Sequence, residues 1–187
     1  MATRVAVVVG SLRKGSFNRK LAQAMVASAP PSLALEIVEI RDLPLYNQDD
    51  DADPPPPSKA FKQKIADAQA VLFVTPEYNR SVPGVLKNAI DIASRPYGQS
   101  AWNGKPAGVI SLSPGAIGAF GANQHLRQSL VFLNMPTLQQ PEAYIGGAAD
   151  LFDDSGAIKK PETKQFVDKF LAAFADWVER VAAKPAA

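Results

Sequence analysis

The sequence predicts an α/β fold, a three-layer open sheet of five parallel strands with helices on both faces. Short apolar segments rich in β-branched residues recur along the 187 residues, and segments with helical periodicity lie between them. Strand and helix alternate five times. Because parallel strands need crossover connections, helices cover both faces of such a sheet and bury its strands. The length suits one domain, residues 1–187.

Five short apolar segments predict the strands. They are residues 4–9 (RVAVVV), 33–40 (LALEIVEI), 70–75 (AVLFVT), 107–112 (AGVISL) and a short strand within 136–146. The first, third and fourth are continuously apolar, which is typical of strands buried on both faces. Pro141 interrupts the last segment, so its strand is expected to be short.

Apolar residues three or four positions apart predict the helices. Residues 17–28 form the first, with Leu21, Ala24, Met25 and Ser28 along one side. The helix after the third strand has a face made of Val82, Val85, Leu86, Ala89 and Ala93. The last helix has a stripe made of Phe166, Phe170, Phe174, Trp177 and Val181. An aromatic stripe at this spacing predicts packing in the core.

A polar segment, residues 46–59, separates the second strand from the next helix. Its four consecutive prolines favour an extended conformation, and Ser58 is expected to cap the following helix. Its aspartates imitate the start of a calcium loop, but Pro54 and Ala60 occupy the positions that need Gly and Glu. A solvated loop is therefore predicted.

The composition excludes several classes of function. The net charge is +2 without a basic run, so no nucleic-acid partner is expected, and no apolar stretch reaches the length of a membrane span. Strand-like residues begin almost at once, so no signal peptide is expected, and the lack of Cys fits a cytoplasmic protein. With no Cys and a single His, His125, no metal site is expected. Demanding chemistry would therefore need an organic cofactor.

The first strand leads into GSLRKGSFN, Gly10–Asn18, at the start of a helix, where backbone N–H groups favour an anion. Ser11, Ser16 and Asn18 add neutral donors, and Arg13 adds a planar cation suited to phosphate. Ser16 stands where a P-loop needs Lys, and the glycine pattern of dinucleotide sites is absent. These residues favour a single terminal phosphate; the alternative is a polar turn that Ser16 caps.

Two further loops follow the third and fourth strands. In TPEYNRSVPG (75–84), Tyr78 could lie against a planar ring, with backbone groups of Glu77 and Asn79 at its polar edge. The alternative is an ordinary turn capped by Ser81. In SPGAIGAFGAN (113–123), three glycines permit close backbone approach to a ligand, and the alternative is a flexible loop.

The three loops are expected at one edge of the sheet, because the carboxyl ends of parallel strands meet there. A phosphate cradle, an aromatic-plus-amide loop and a glycine loop together describe a site for a flat ring with a phosphorylated tail. Flavin mononucleotide (FMN) is the natural candidate.

The sequence resembles the NADPH-dependent FMN reductase family of flavodoxin-like proteins, in particular bacterial quinone reductases also described as chromate reductases. The resemblance is carried by three segments, GSLRKGSFNRKL, TPEYNRSVPGVLKNAIDIASR and SPGAIGAFGA. The resemblance implies a flavodoxin-like sheet, bound FMN, and NADPH or NADH as electron donor. It also implies the cofactor-binding residues: Ser11, Arg13, Ser16, Phe17 and Asn18 around the phosphate, Pro76, Glu77, Tyr78 and Asn79 at the ring, and Ser113, Gly115 and Gly118 on its other side.

The implied reaction passes hydride from NAD(P)H to the flavin N5 and then to a quinone, in ping-pong order, with chromate, nitro or azo compounds as further acceptors. No catalytic side chain is expected, and His125 is interpreted as structural. The alternatives are a flavodoxin-type electron carrier, a flavin-binding regulatory module without turnover, and a phosphate binder. Flavodoxin-type carriers are usually acidic, and the isoelectric point near 8.8 disfavours that role.

The family also implies a homodimer or homotetramer in which the helix after the second loop meets a partner. On that helix lie Lys87, Asn88, Asp91 and Arg95, for which a solvated polar face is the equal alternative. The chain departs from close relatives at Arg80, where they tend to carry an aromatic residue, and at Gly121 and Ala122, where larger residues are common. Glu142 is then expected to lack its usual partner.

Overall fold

The computed structural model describes residues 1–182; the last five residues of the expected 1–187 domain lie outside it. Its strands are β1 Thr3–Val9, β2 Leu33–Val38, β3 Ala70–Thr75, β4 Ala107–Leu112 and β5 Ala143–Ile145. They form one parallel sheet in the order β2-β1-β3-β4-β5. This is the flavodoxin-like strand order, so the predicted fold class is confirmed.

Burial follows position in the sheet. The inner strands β3 and β4 are buried at every residue, as is β1 from Val5 onward, which accounts for their continuously apolar sequences. The edge strand β2 alternates and ends at Val38, two residues earlier than predicted. The other edge strand, β5, is three residues long and begins only after Pro141, which cannot donate a ladder hydrogen bond.

Among residues 1–182, five α-helices complete the three layers. They are α1 Phe17–Ala27, α2 Pro56–Asp67, α3 Gly84–Ser94, α4 Phe120–Phe132 and α5 Pro161–Ala182. Helices α1 and α5 pack on one face of the sheet, against Val5, Val7 and Leu72. Helices α2, α3 and α4 pack on the other, against Val8 and Phe73. Alternate residues of each inner strand therefore serve two separate cores.

Several predicted helix faces are shifted. Val82 precedes α3, and Ala22 is buried in α1 whereas Ala24 is only partly so. In α5, Phe170 and Phe174 are buried as predicted, but the other fully buried positions are Val167, Leu171 and Val178. The buried face is therefore rotated from the aromatic stripe toward its aliphatic neighbours, and Phe166 and Trp177 are only partly buried at its border.

The proline-rich segment contributes to a helix. Pro56 and Pro57 form the first turn of α2, where a fixed φ and a missing N–H are tolerated. Ser58 is therefore inside the helix and buried, so the prediction that it caps α2 is wrong. Upstream, Asn88 of α3 holds the loop: its Oδ1 accepts from the Tyr46 N–H and its Nδ2 donates to the Pro44 carbonyl, both at 2.8 Å. Among residues 1–182, no helix has the length and apolar character needed to cross a bilayer.

Candidate functional site

The loops after β1, β3 and β4 meet at one edge of the sheet around an open cleft of about 180 Å³. The cleft is lined by Ser11, Arg13, Ser16, Phe17, Asn18, Pro76, Glu77, Tyr78, Leu112, Ser113 and Pro114. Most of the residues proposed from the sequence are thus brought together. Asn79, Gly115 and Gly118 are not among the lining residues.

The first loop ends in a capped helix. Ser16, which is buried, accepts the Arg19 N–H on its Oγ at 3.2 Å and caps α1. This is the alternative interpretation of Ser16, and it does not compete with anion binding, because the first N–H groups of a helix still lack intrahelical partners. Arg13 curls over the loop, with Nη2 donating to the Gly15 carbonyl at 2.6 Å and its guanidinium 4.8 Å from the Phe17 ring.

Asn18 gives the clearest indication of a ligand-binding site. The residue is 4% exposed, and its Nδ2 donates to the Leu112 carbonyl at 3.1 Å. Its Oδ1 is buried without a hydrogen-bond partner among residues 1–182. Buried polar atoms are nearly always paired, so an unpaired acceptor beside the cleft favours a ligand that can donate a hydrogen bond.

The second loop is a tight turn that projects an aromatic ring. Tyr78 and Ser81 exchange backbone hydrogen bonds of 3.2 and 2.9 Å, and the residues between them, Asn79 and Arg80, have φ values of 50° and 62°. Positive φ at both central positions defines a type I′ turn. The turn leaves Tyr78 58% exposed at the cleft, available to lie against a planar ligand.

Ser81 does not cap α3, whose N-cap is Pro83, so that alternative interpretation of the second loop is wrong. Its Oγ lies 3.0 Å from Nδ1 of His125 in α4. The lone histidine therefore has a contact that ties the second loop to α4, in keeping with a structural role.

The Glu77 side chain is the second link between this loop and α4. Its carboxylate accepts the Ala122 N–H on Oε2 at 3.0 Å and an Arg80 N–H on Oε1 at 3.2 Å. Gly121 makes room for it, since a Cβ there would lie 2.8 Å from both Glu77 Oε2 and the Arg80 carbonyl oxygen. The sequence interpretation assigned only the backbone of Glu77 and found no role for Gly121 in this contact.

The third loop rests on β5 and on a buried polar network. Gly118 has φ +58°, and a Cβ on it would lie 2.6 Å from the backbone of Tyr144 and Ile145. Its carbonyl accepts the Ser111 hydroxyl at 2.7 Å, and the Asn123 amide donates to Ser111 Oγ at 3.2 Å. Sequence reasoning missed Ser111 and Asn123 as supports of this loop. A lone serine in an otherwise apolar strand was the available signal.

Beside this network lie two groups with shifted pKa values. Burial, followed by the Glu142 carboxylate nearby, raises the pKa of Tyr144, whose hydroxyl also accepts from Gln124 at 2.6 Å. Burial lowers the pKa of the Arg127 guanidinium, which donates to Asn123 Oδ1 at 2.9 Å. The Glu142 carboxylate therefore lies near the Tyr144 hydroxyl of its own chain.

Among residues 1–182, no group of three or more His, Cys, Asp or Glu side chains is placed to hold a metal ion. The cleft offers instead a helix N-terminus, a guanidinium, hydroxyls, an amide and an exposed aromatic ring. This donor set is suited to an organic anion with a planar part.

The comparisons with known proteins agree with this chemistry. The sequence model of the NADPH-dependent FMN reductase family matches residues 3–150. A quinone reductase from Pseudomonas putida is 65% identical over 94% of both chains. A 2-hydroxy-1,4-benzoquinone reductase from a Burkholderia species is 50% identical over 95% of this chain and 97% of the relative.

A solved structure is also similar. FerB, a flavoenzyme NAD(P)H:(acceptor) oxidoreductase from Paracoccus denitrificans, superposes with a TM-score of 0.90 at 45% identity, covering 96% of this chain and 98% of that one. The match to the family model, residues 3–150, extends through all three loops of the cleft. The chain therefore belongs to the NADPH-dependent FMN reductase family.

Proposed function

We propose that the protein is an FMN-dependent NAD(P)H:quinone reductase. The observation that carries the proposal is the cleft itself, where the N-terminus of α1, the unpaired Asn18 amide oxygen and the exposed Tyr78 ring converge. Family membership supports FMN as the cofactor and NADPH or NADH as the donor, and the names of the two curated relatives support a quinone acceptor.

The cleft residues fit FMN in two parts. The terminal phosphate would lie at the start of α1, where Ser11, Ser16 and Arg13 supply donors beside the unpaired helix N–H groups. The Asn18 Oδ1 would accept a hydroxyl hydrogen from the chain that links phosphate and ring. The ring would lie against Tyr78 and the backbone of the second loop, with Ser113 and the glycines of the third loop closing the other side.

FMN, held by the residues of the cleft, would supply the two-electron chemistry between NAD(P)H and the acceptor. The chain supplies position and electrostatics. The α1 N-terminus and Arg13 neutralise the phosphate, and the rigid second loop fixes the plane of the ring. The open side of the cleft would admit donor and acceptor in turn, and we include chromate, nitro and azo compounds as further candidate acceptors.

Assembly as a homodimer or homotetramer is part of the proposal. Tyr97, Val131 and Phe132 are exposed large apolar residues, and two of them line a surface pocket between the end of α3 and the end of α4. Exposed apolar clusters commonly mark protein interfaces. On α3 itself, Lys87 pairs with Asp91 at 2.8 Å, which favours a solvated polar face for these two residues. Asn88 instead binds the loop before α2 of its own chain.

Anaerobic spectroscopy tests the function directly. The purified protein is expected to show flavin absorption bands that bleach when NADPH or NADH is added and return when a benzoquinone follows. An electron carrier would instead need a separate reductase, and a regulatory module would bind FMN with negligible quinone-dependent turnover. A colourless protein that also fails to bind added FMN would contradict the proposal.

A further inference from the structure

We propose that Glu77 is a positioning residue, whose carboxylate fixes the ring-binding loop by capping α4, the helix that follows the third loop. This proposal deepens the proposed function and rests on it. The ring-binding loop is defined as residues 76–83. The Glu77 side chain is only 10% exposed, and its two oxygens accept from Ala122 N and Arg80 Nη1 at 3.0 and 3.2 Å.

The start of α4 lacks a cap of its own. Its N-cap residue is Ala119, which has φ +62° and no side-chain hydrogen bond. Ala122 is the third residue of the helix, so its N–H has no intrahelical acceptor. Glu77, 45 residues earlier, supplies that acceptor, and the negative carboxylate also complements the positive end of the helix dipole.

Gly121 shows that the contact is built into the packing. Any other side chain would place its Cβ 2.8 Å from Glu77 Oε2 and 2.8 Å from the Arg80 carbonyl oxygen. Glycine is otherwise unfavourable inside a helix by about 1 kcal/mol relative to alanine. The chain therefore places a poor helix former at the point where the ring-binding loop touches α4.

The contact bears on ligand binding because of where the loop leads. Pro76 and Tyr78, on either side of Glu77, line the cleft, and the turn beyond them has two residues at positive φ. A loop under such backbone strain keeps one geometry only when its surroundings hold it. Glu77 is the buried anchor between this loop and the element that follows the third loop.

Riboflavin has the ring of FMN but no phosphate, so titrating the protein with each flavin distinguishes a loss of ring binding from a loss of phosphate binding. Glu77→Ala is expected to lower the affinity for both flavins by the same factor, about 10- to 100-fold, as for a lost charge-assisted hydrogen bond. Glu77→Gln keeps a neutral acceptor and is expected to recover most of the affinity. Arg13→Ala, at the phosphate, is expected to weaken FMN alone. The absorption maximum of flavin bound to Glu77→Ala at saturation is expected to shift, because the ring environment changes.

A substitution in α4 tests the same contact from its other side. Gly121→Ala is expected to reproduce the loss for both flavins despite its better helix propensity, which keeps the proposal testable if Glu77→Ala fails to fold. Gly84→Ala, where a Cβ meets nothing within 4 Å, is the matched control and should bind as wild type. Wild-type affinity and spectrum in Glu77→Ala or Gly121→Ala, or a loss confined to FMN, would overturn the role of Glu77. A wild-type protein that binds neither flavin would instead refute the proposed function.

Discussion

Replacing Gly118 by alanine is expected to cost more stability than replacing other glycines of the chain, because two separate penalties coincide there. Its φ of +58° is a conformation that residues with a Cβ rarely adopt. The added methyl would also lie 2.6 Å from the Tyr144 carbonyl carbon and the Ile145 nitrogen, both backbone atoms of β5.

The magnitude follows from the two terms. Left-handed backbone costs an L-residue about 1–2 kcal/mol. Overpacking against a rigid backbone costs about 1–3 kcal/mol more. The free energy of unfolding of Gly118→Ala is therefore expected to fall by about 2–5 kcal/mol.

Substitutions at two other glycines distinguish the backbone penalty from the overpacking penalty. Gly156 has φ +86° with nothing within 4 Å of its Cβ position, so Gly156→Ala should lose only the conformational term, about 1–2 kcal/mol. Gly84 has neither problem, and Gly84→Ala should be neutral or stabilising by up to about 1 kcal/mol.

Urea denaturation of the three variants, with midpoints and slopes compared, measures the series. The reasoning fails if Gly118→Ala is no less stable than Gly156→Ala. A Gly118→Ala variant with normal stability that no longer binds FMN would show instead that Gly118 faces the ligand, as the family resemblance implied.

Two further substitutions test contacts away from the cleft. Asn88→Ala loses both hydrogen bonds to the loop before α2 and should lower the free energy of unfolding by about 1–3 kcal/mol. Lys87→Ala on the same helix is the control, because it loses only an exposed ion pair worth about 1 kcal/mol or less. Urea unfolding and limited proteolysis of the loop compare the two variants, and equal losses would contradict the role of Asn88 in holding the loop. The hydrogen bond from Arg19 lowers the pKa of Glu39, so the folded state binds this proton less readily than the unfolded state. The free energy of unfolding of wild type should therefore exceed that of Glu39→Gln by less than about 1 kcal/mol at neutral pH, because the pair is exposed. The difference should shrink as the pH falls through the lowered pKa of Glu39, and a difference that does not change with pH would refute the assignment.

The strands and the general place of the cleft could be predicted because they depend on local patterns. A run such as AVLFVT is apolar at every position only if both faces of its strand are covered. Once the strands are parallel, their carboxyl ends share an edge, so three loops far apart in sequence must meet. Family membership then followed from the residues of those loops.

The helix starts could be predicted less well, because several residues compete for the same role. Ser58 and Ser81 both resemble caps in sequence, yet Pro56 begins α2 and Pro83 precedes α3. Which residue becomes the N-cap depends on how the helix packs against the rest of the protein. The one correct cap, Ser16, lies in a loop whose glycines and polar residues leave fewer alternatives.

The sequence by itself determined the layers of this protein, the family of its cleft and the residue types that line it, because hydrophobic periodicity and short motifs are local. Only the tertiary structure decided that the Glu77 carboxylate binds α4, that Gly121 makes room for it, and that Gly118 packs on β5. These contacts join residues up to 45 positions apart. Their partners are set by distances of a few ångströms between backbones, and no spacing in the sequence encodes those distances.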